Sequence, residues 1–134
     1  MEKRFNQSVF EELKSIFQDR VTSETTIRNE HGVGFSYHAC TPPDCVVFPK
    51  NTQEVAEIVK ICAKHKTPII PFGAGTSLEG HILALEGGVC IDLSNMNHII
   101  EINTDDMYVS VESGVTRNQI DEALEGSGFF FPIG

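Results

Sequence analysis

Between Pro71 and His81 the chain reads Pro-Phe-Gly-Ala-Gly-Thr-Ser-Leu-Glu-Gly-His, with three glycines, two hydroxyl residues and no lysine or arginine. Glycine lets successive backbone N–H groups turn toward one point, and Thr76 and Ser77 add hydroxyl donors. A loop of this kind can hold a pyrophosphate through backbone dipoles, without a cationic side chain. Two nucleotide motifs do not fit. The dinucleotide fingerprint G-x-G-x-x-G, begun at Gly73, requires glycine where Leu78 stands. The P-loop pattern fits Gly75 and Gly80, but His81 and Ile82 follow where lysine and a metal-binding hydroxyl are required, so NTP hydrolysis is not indicated. An anion nest and a plain glycine-rich turn both remain open. The apolar pair Ile69-Ile70 places the loop just beyond a strand end, where α/β sheets bind ligands.

The elements around the loop follow from periodicity and punctuation. Cys45-Val46-Val47-Phe48 is a short apolar run of strand type closed by Pro49. Asn51 is a good N-cap, Glu54 can reach back to it, and Val55, Ile58, Val59 and Cys62 form one apolar stripe of a helix ended by Thr67-Pro68. Ile69-Ile70 then completes a strand–helix–strand unit, which predicts parallel strands. Val89 to Asp92, Ile99 to Ile102 and Tyr108 to Glu112 read as further strands, the last half-exposed, with a turn at Asn103 to Asp106. Thr116 to Gln119 is a capping box opening a helix with Ile120, Ala123 and Leu124 on its inner face, and Gly126 and Gly128 stop it. Phe129-Phe130-Phe131 reads as core and the start of another strand. At the N-terminus, Ser8 to Glu11 is a second such box. Its helix carries Phe10, Leu13 and Phe17 at helical spacing with Ile16 beside them, while Arg20 to Tyr37 reads as mostly loop. The expected class is α+β: a βαβ subdomain with parallel strands, then the start of a mixed or antiparallel subdomain.

Bulk properties narrow the function. The chain has 134 residues and a formal net charge of −9, which disfavours nucleic-acid binding. No apolar run is long enough for a transmembrane helix, and Met1 to Asn6 does not lead into an apolar signal region, so a cytoplasmic location is expected. No C-x-x-C pair occurs among Cys40, Cys45, Cys62 and Cys90. His38, Cys40, Asp44 and Cys45 are candidate metal ligands, but no second ligand pair follows at finger spacing, so they read as ordinary loop and strand residues. Glu101 with Asp105-Asp106 reads as a solvated turn. No metal site and no catalytic residue is assigned.

Four ordered segments carry a family resemblance. Pro71 to Gly80 resembles the flavin pyrophosphate loop of the vanillyl-alcohol oxidase type FAD-binding domain, also called PCMH-type. Val46 to Val55 resembles that family's first strand and helix start, Ile91 to Asn97 the strand and turn after the loop, and Val111 to Thr116 its next flavin-facing segment, where proline is commoner than Ser113. Within the family the chain is most similar to FAD-linked D-lactate dehydrogenases and the D subunit of glycolate oxidase. The resemblance implies residues 1–42 as an N-terminal helix and loop and 43–134 as the first, truncated part of an FAD-binding domain. It implies FAD as cofactor, bound by Gly73, Ala74, Gly75, Thr76, Ser77 and Gly80, with Leu78 packing the loop down and Ser113, Gly114 and Val115 touching other parts of the nucleotide. His81 either bonds the phosphate or flavin, or caps a helix start. The implied function is oxidation of a small D-2-hydroxy acid by the intact enzyme, peripheral to a membrane or free in the cytoplasm. The fragment itself is expected to self-associate. The alternative is a noncatalytic nucleotide- or anion-binding module.

Overall fold

The computed structural model describes residues 7–132. Helix α1 (Gln7–Phe17) turns Val9, Leu13 and Phe17 into the core. Steps of four keep these three on one face, so Val9 takes the place expected of Phe10, which packs at the core margin, and Ile16 is exposed. Ser8 lies inside this helix. Arg20 to Tyr37 is not mostly loop. A 3-10 turn (Gln18–Arg20) leads to strand β1 (Val21–Thr22) and helix α2 (Thr25–Glu30). A two-residue strand has no period to read, and α2 buries none of its residues, so neither leaves a hydrophobic pattern in the sequence.

Strand β2 (Cys45–Val47) is buried throughout. Helix α3 (Thr52–Lys64) starts as expected, with Asn51 Oδ1 accepting from the Glu54 N–H at 2.9 Å. The Glu54 carboxylate does not return to Asn51. It accepts from the Lys50 N–H at 2.7 Å and from Arg20 Nη1 and Nη2 at 2.6 and 2.9 Å. The buried face of α3 is Ile58, Ile61 and Cys62. Val55 is half-buried and Val59 exposed, so the stripe runs one residue off the expected one.

Strands β3 (Ile69–Phe72) and β4 (Val89–Asp92) complete a four-stranded sheet ordered β1-β2-β4-β3. Both β2 and β3 run parallel to β4, and β1 is antiparallel to β2. The βαβ strands are therefore parallel but not neighbours, because β4 lies between them. All four β4 residues are buried, as a central strand covered on both faces requires. Val9, Leu13, Phe17 and Val21 share one hydrophobic cluster with Cys45, Val47, Ile58, Cys62 and Val89, so the N-terminal segment is continuous with the βαβ core.

Strands β5 (Ile99–Asn103) and β6 (Tyr108–Val111) form a separate antiparallel hairpin. Asn103 and Asp106 bond reciprocally across its exposed turn. Helix α4 (Arg117–Ala123) has the expected reciprocal capping box between Thr116 and Gln119. It buries Ile120 and, just past its end, Leu124, but Ala123 is exposed. Phe129 to Phe131 forms no strand and is not core. Phe129 and Phe130 are exposed and Phe131 is half-buried, with its N–H bonded to Asp121 Oδ1 at 2.9 Å. The thiols of Cys45, Cys62 and Cys90 are buried, and burial pushes them up to about 12, 11 and 12. Cys40 is exposed. Among the described residues no helix is long and apolar enough to cross a membrane, and no three His, Cys, Asp or Glu side chains group as a metal site.

Arg20 joins the segment read as loop to the rest of the fold. It forks onto Glu54, donates to the Phe48 carbonyl at 3.0 Å and lies over the Phe17 ring. Arg20→Ala is expected to destabilise the chain by about 1–3 kcal/mol, the range for part-buried charged hydrogen bonds. Urea unfolding measures this, and a change within error would show the fork to be a surface pair of no consequence.

Candidate functional site

Strands β3 and β4 end side by side, since Phe72 pairs with Asp92. The glycine loop leaving Phe72 and the turn leaving Asp92 thus start together at one edge of the sheet, where the Leu93 N–H donates to the Phe72 carbonyl at 3.0 Å. The segment after β6 is pressed onto this turn. Gly114 N–H donates to the Met96 carbonyl at 2.8 Å, and a Cβ on Gly114 would collide with the Leu93 carbonyl oxygen. Only glycine permits that approach.

The result is a cleft of about 350 Å³. Gly73, Ala74 and Thr76 line it together with Ser113, Gly114 and Val115, so two predicted segments far apart in sequence face one space. Thr116, Arg117 and Asn118 also line it and were missed. The available signal was the Thr116 capping box, which starts α4 directly after Val115.

Among the described residues, no backbone N–H from Gly73 to Leu78 donates a hydrogen bond within the protein. Gly75 has φ +67°, and a Cβ there would press on the Phe72 ring at 2.7 Å. Gly73 has no such constraint from the chain: a Cβ would meet nothing within 4 Å. Gly75, Ser77, Leu78, Gly80 and His81 lie in the same loop but do not line the cleft. Ser77 Oγ accepts from the Glu79 N–H at 3.4 Å. Leu78 is 64% exposed and does not pack the loop down. His81 is exposed, and no helix follows it to be capped.

Beneath the loop lies a buried pair that the sequence reading did not single out. His31, just past α2, places Nε2 2.8 Å from Asp92 Oδ2 and Nδ1 2.7 Å from the Ile27 carbonyl. The side chains are 9% and 8% exposed. The carbonyl can only accept, so Nδ1 carries a hydrogen, and the carboxylate draws a second one onto Nε2. Burial alone would lower the His31 pKa, but the bonds to Asp92 and Ile27 outweigh it and the net shift is upward. Burial likewise opposes ionisation of Asp92, and the bonds from His31 and Ser94 outweigh it, holding the carboxyl below its usual range. The imidazole also packs on Phe72 at 4.5 Å and edge-on to Phe48 at 5.9 Å. Phe72 is the ring that supports Gly75.

Residues 43–134 match the family described as FAD binding domain. This chain belongs to the FAD binding domain family. It is 41% identical over 128 residues to the probable mitochondrial D-lactate dehydrogenase of Danio rerio, covering 95% of this chain and 26% of that protein. It is 39% identical over 103 residues to the glycolate oxidase subunit GlcD of Bacillus subtilis (strain 168), covering 73% and 22%. Among solved structures, the 4-ethylphenol oxidase of Gulosibacter chungangensis superposes with a TM-score of 0.81 at 27% identity, covering 91% of this chain and 24% of that one. The chain spans about a quarter of the length of the curated relatives it matches. FAD is the cofactor of this family, and the site fits it: Gly73, Ala74 and the exposed Thr76, whose backbone N–H groups donate to nothing within the described protein, line the cleft, and Gly73 puts no side chain into it.

The His31–Asp92 pair gives stability a definite pH dependence. A histidine with a raised pKa contributes its full stabilisation below the unfolded value of about 6.5 and loses it as pH rises through the folded one. Asp92, shifted downward, contributes above the ordinary carboxylate range and loses that only in acid. The stability gap between the parent and Asp92→Asn is therefore expected to be largest between the ordinary carboxylate range and about pH 6.5, and to shrink in alkali. Thermal unfolding across pH measures it, and a gap of constant size would exclude an ion-paired His31.

Proposed function

We propose that the cleft and the loop bordering it hold the diphosphate portion of FAD, with Gly73, Ala74 and Thr76 of the lining against the phosphates and the Gly75 amide and Ser77 hydroxyl reaching them from the adjoining loop. Gly80 and His81 shape the far side of the loop, and Ser113, Gly114 and Val115 contact the rest of the nucleotide. The observation that carries this is that Gly73, Ala74 and Thr76, whose N–H groups donate to nothing within the described protein, line one cleft with the Gly114 segment. Glycine conformations of this kind make anion-binding concavities. Gly75→Val, barred by both φ and the Phe72 ring, is expected to lower flavin retention at least about tenfold in a folded chain. Flavin per protein, read beside the far-UV spectrum, tests this, and normal flavin content would refute the assignment.

The activity proposed for the longer protein is oxidation of a small D-2-hydroxy acid, lactate- or glycolate-like, and it rests on the relatives' names. When bound, FAD supplies the acceptor for the substrate's electrons. The residues of this chain supply binding and orientation. The cleft lining contains no histidine, carboxylate or lysine, hence no group suited to take a proton near neutrality. Residues 1–134 by themselves are therefore expected to bind flavin without turning over D-lactate or glycolate. An assay with added FAD and an artificial electron acceptor checks this, and turnover that survives repurification would overturn it. The same lining keeps a noncatalytic nucleotide-binding module as the second reading, which reduction of the flavin by a D-2-hydroxy acid in the longer protein would remove. A cytoplasmic location, with peripheral membrane contact of the longer protein, belongs to the proposal.

Self-association is also proposed. Hairpin β5–β6 and the segment Phe129 to Pro132 border an apolar groove of about 430 Å³, in which Met107 and Phe130 are each 76% exposed. A two-stranded hairpin with exposed apolar flanks favours pairing with another chain. Light scattering over a concentration series should show mass growth, whereas a monomer at every concentration would refute it.

A further inference from the structure

We propose that Arg117 is a diphosphate-binding residue of the cleft, so that retention of FAD depends on its phosphates through a side chain as well as through the glycine loop. This inference rests on the cofactor reading above and deepens it. No lysine or arginine stands between Lys66 and Arg117, although Glu79, Glu86, Asp92, Glu101, Asp105, Asp106 and Glu112 fall in that interval. Arg117 is the one charged residue in the lining of a cleft otherwise made of glycines, Ala74, Val115, hydroxyl residues and Asn118.

The geometry leaves its donors available. Nε donates to Asp121 Oδ2 at 3.2 Å, and among the described residues neither Nη1 nor Nη2 has a protein partner. Asp121 is itself held, since its other oxygen accepts from the Phe131 N–H at 2.9 Å. The guanidinium is therefore tethered at Nε by a fixed carboxylate, with a fork of N–H groups to spare. Such a fork matches two phosphate oxygens, which a lone ammonium does not. The competing account is an ordinary surface pair one helical turn apart, worth little to anything. That account leaves unexplained nothing about the fold, so ligand binding must separate the two.

The chemistry supplies the separation, because FAD and ADP carry a diphosphate and riboflavin carries none. Calorimetric titrations of the purified chain with FAD, ADP and riboflavin are compared for the parent, Arg117→Gln and Arg117→Lys, with far-UV spectra to check folding. Loss of a charge-assisted phosphate contact is expected to weaken FAD and ADP about tenfold in Arg117→Gln and to leave riboflavin unchanged. Arg117→Lys should recover part of the loss, and added salt should weaken FAD more in the parent than in Arg117→Gln. Equal losses for FAD and riboflavin, or no loss for either, would overturn the proposal. Gly75→Val separates the two levels of inference. If it retains FAD, the cofactor reading itself fails; if it releases FAD while Arg117→Gln binds as the parent does, only the role of Arg117 fails.

Discussion

The arrangement of the loop edge depends on one buried ion pair. His31 and Asp92 lie out of water, and neither could keep its charge there without the other. Their bond ties the end of α2 to the end of β4, and the second ring nitrogen ties back to α2 through Ile27. The imidazole also packs on the Phe72 ring, whose tip meets the Gly75 turn. Removing one partner would leave an uncompensated charge below the loop and open room for Phe72 to move. The shape of the glycine loop is thus maintained from beneath, by a contact that never reaches the cleft.

For the proposed diphosphate site, electrostatics favours a lining built largely of backbone. A chain of net charge −9 repels a phosphate ligand at long range. Fixed amide dipoles act at short range and add no net charge, so they can concentrate positive potential at one point without altering the surface elsewhere. The two glycines that make this possible act differently. Gly75 supplies a left-handed turn above an aromatic ring, while Gly114 lets one stretch of backbone lie against another.

Much of this was legible in the sequence. The capping residues Asn51 and Thr116 announced α3 and α4, and continuous apolar runs announced β2 and β4, because those signals are local. The glycine loop was legible for the same reason. What escaped was nonlocal or lacked a periodic pattern. Strand β1 exists because Val21 pairs with Val47, and α2 turns no apolar face inward. His31 gains its importance from a residue 61 positions away. The Phe129 to Phe131 run misled because its composition suits a strand while nothing pairs with it in the described structure. Leu78 misled because an apolar residue in a tight loop was assumed to pack, and it does not.

The strand order β1-β2-β4-β3 also dictates how the molecule can be built as it leaves the ribosome. Strands β2 and β3 both emerge before β4, yet they do not bond to each other; they flank a gap two strand spacings wide, roughly 10 Å. Helix α3 can form early from local contacts, but Cys45, Val47 and Ile58 have no completed sheet to pack on until Val89 to Asp92 have been synthesised. Closure of the core therefore waits for the insertion of one central strand, a nonlocal event of the kind that slows folding. Until then the nascent chain presents two unsatisfied strand edges facing each other, and the final edge of β4 that fills them also delivers Asp92 to His31.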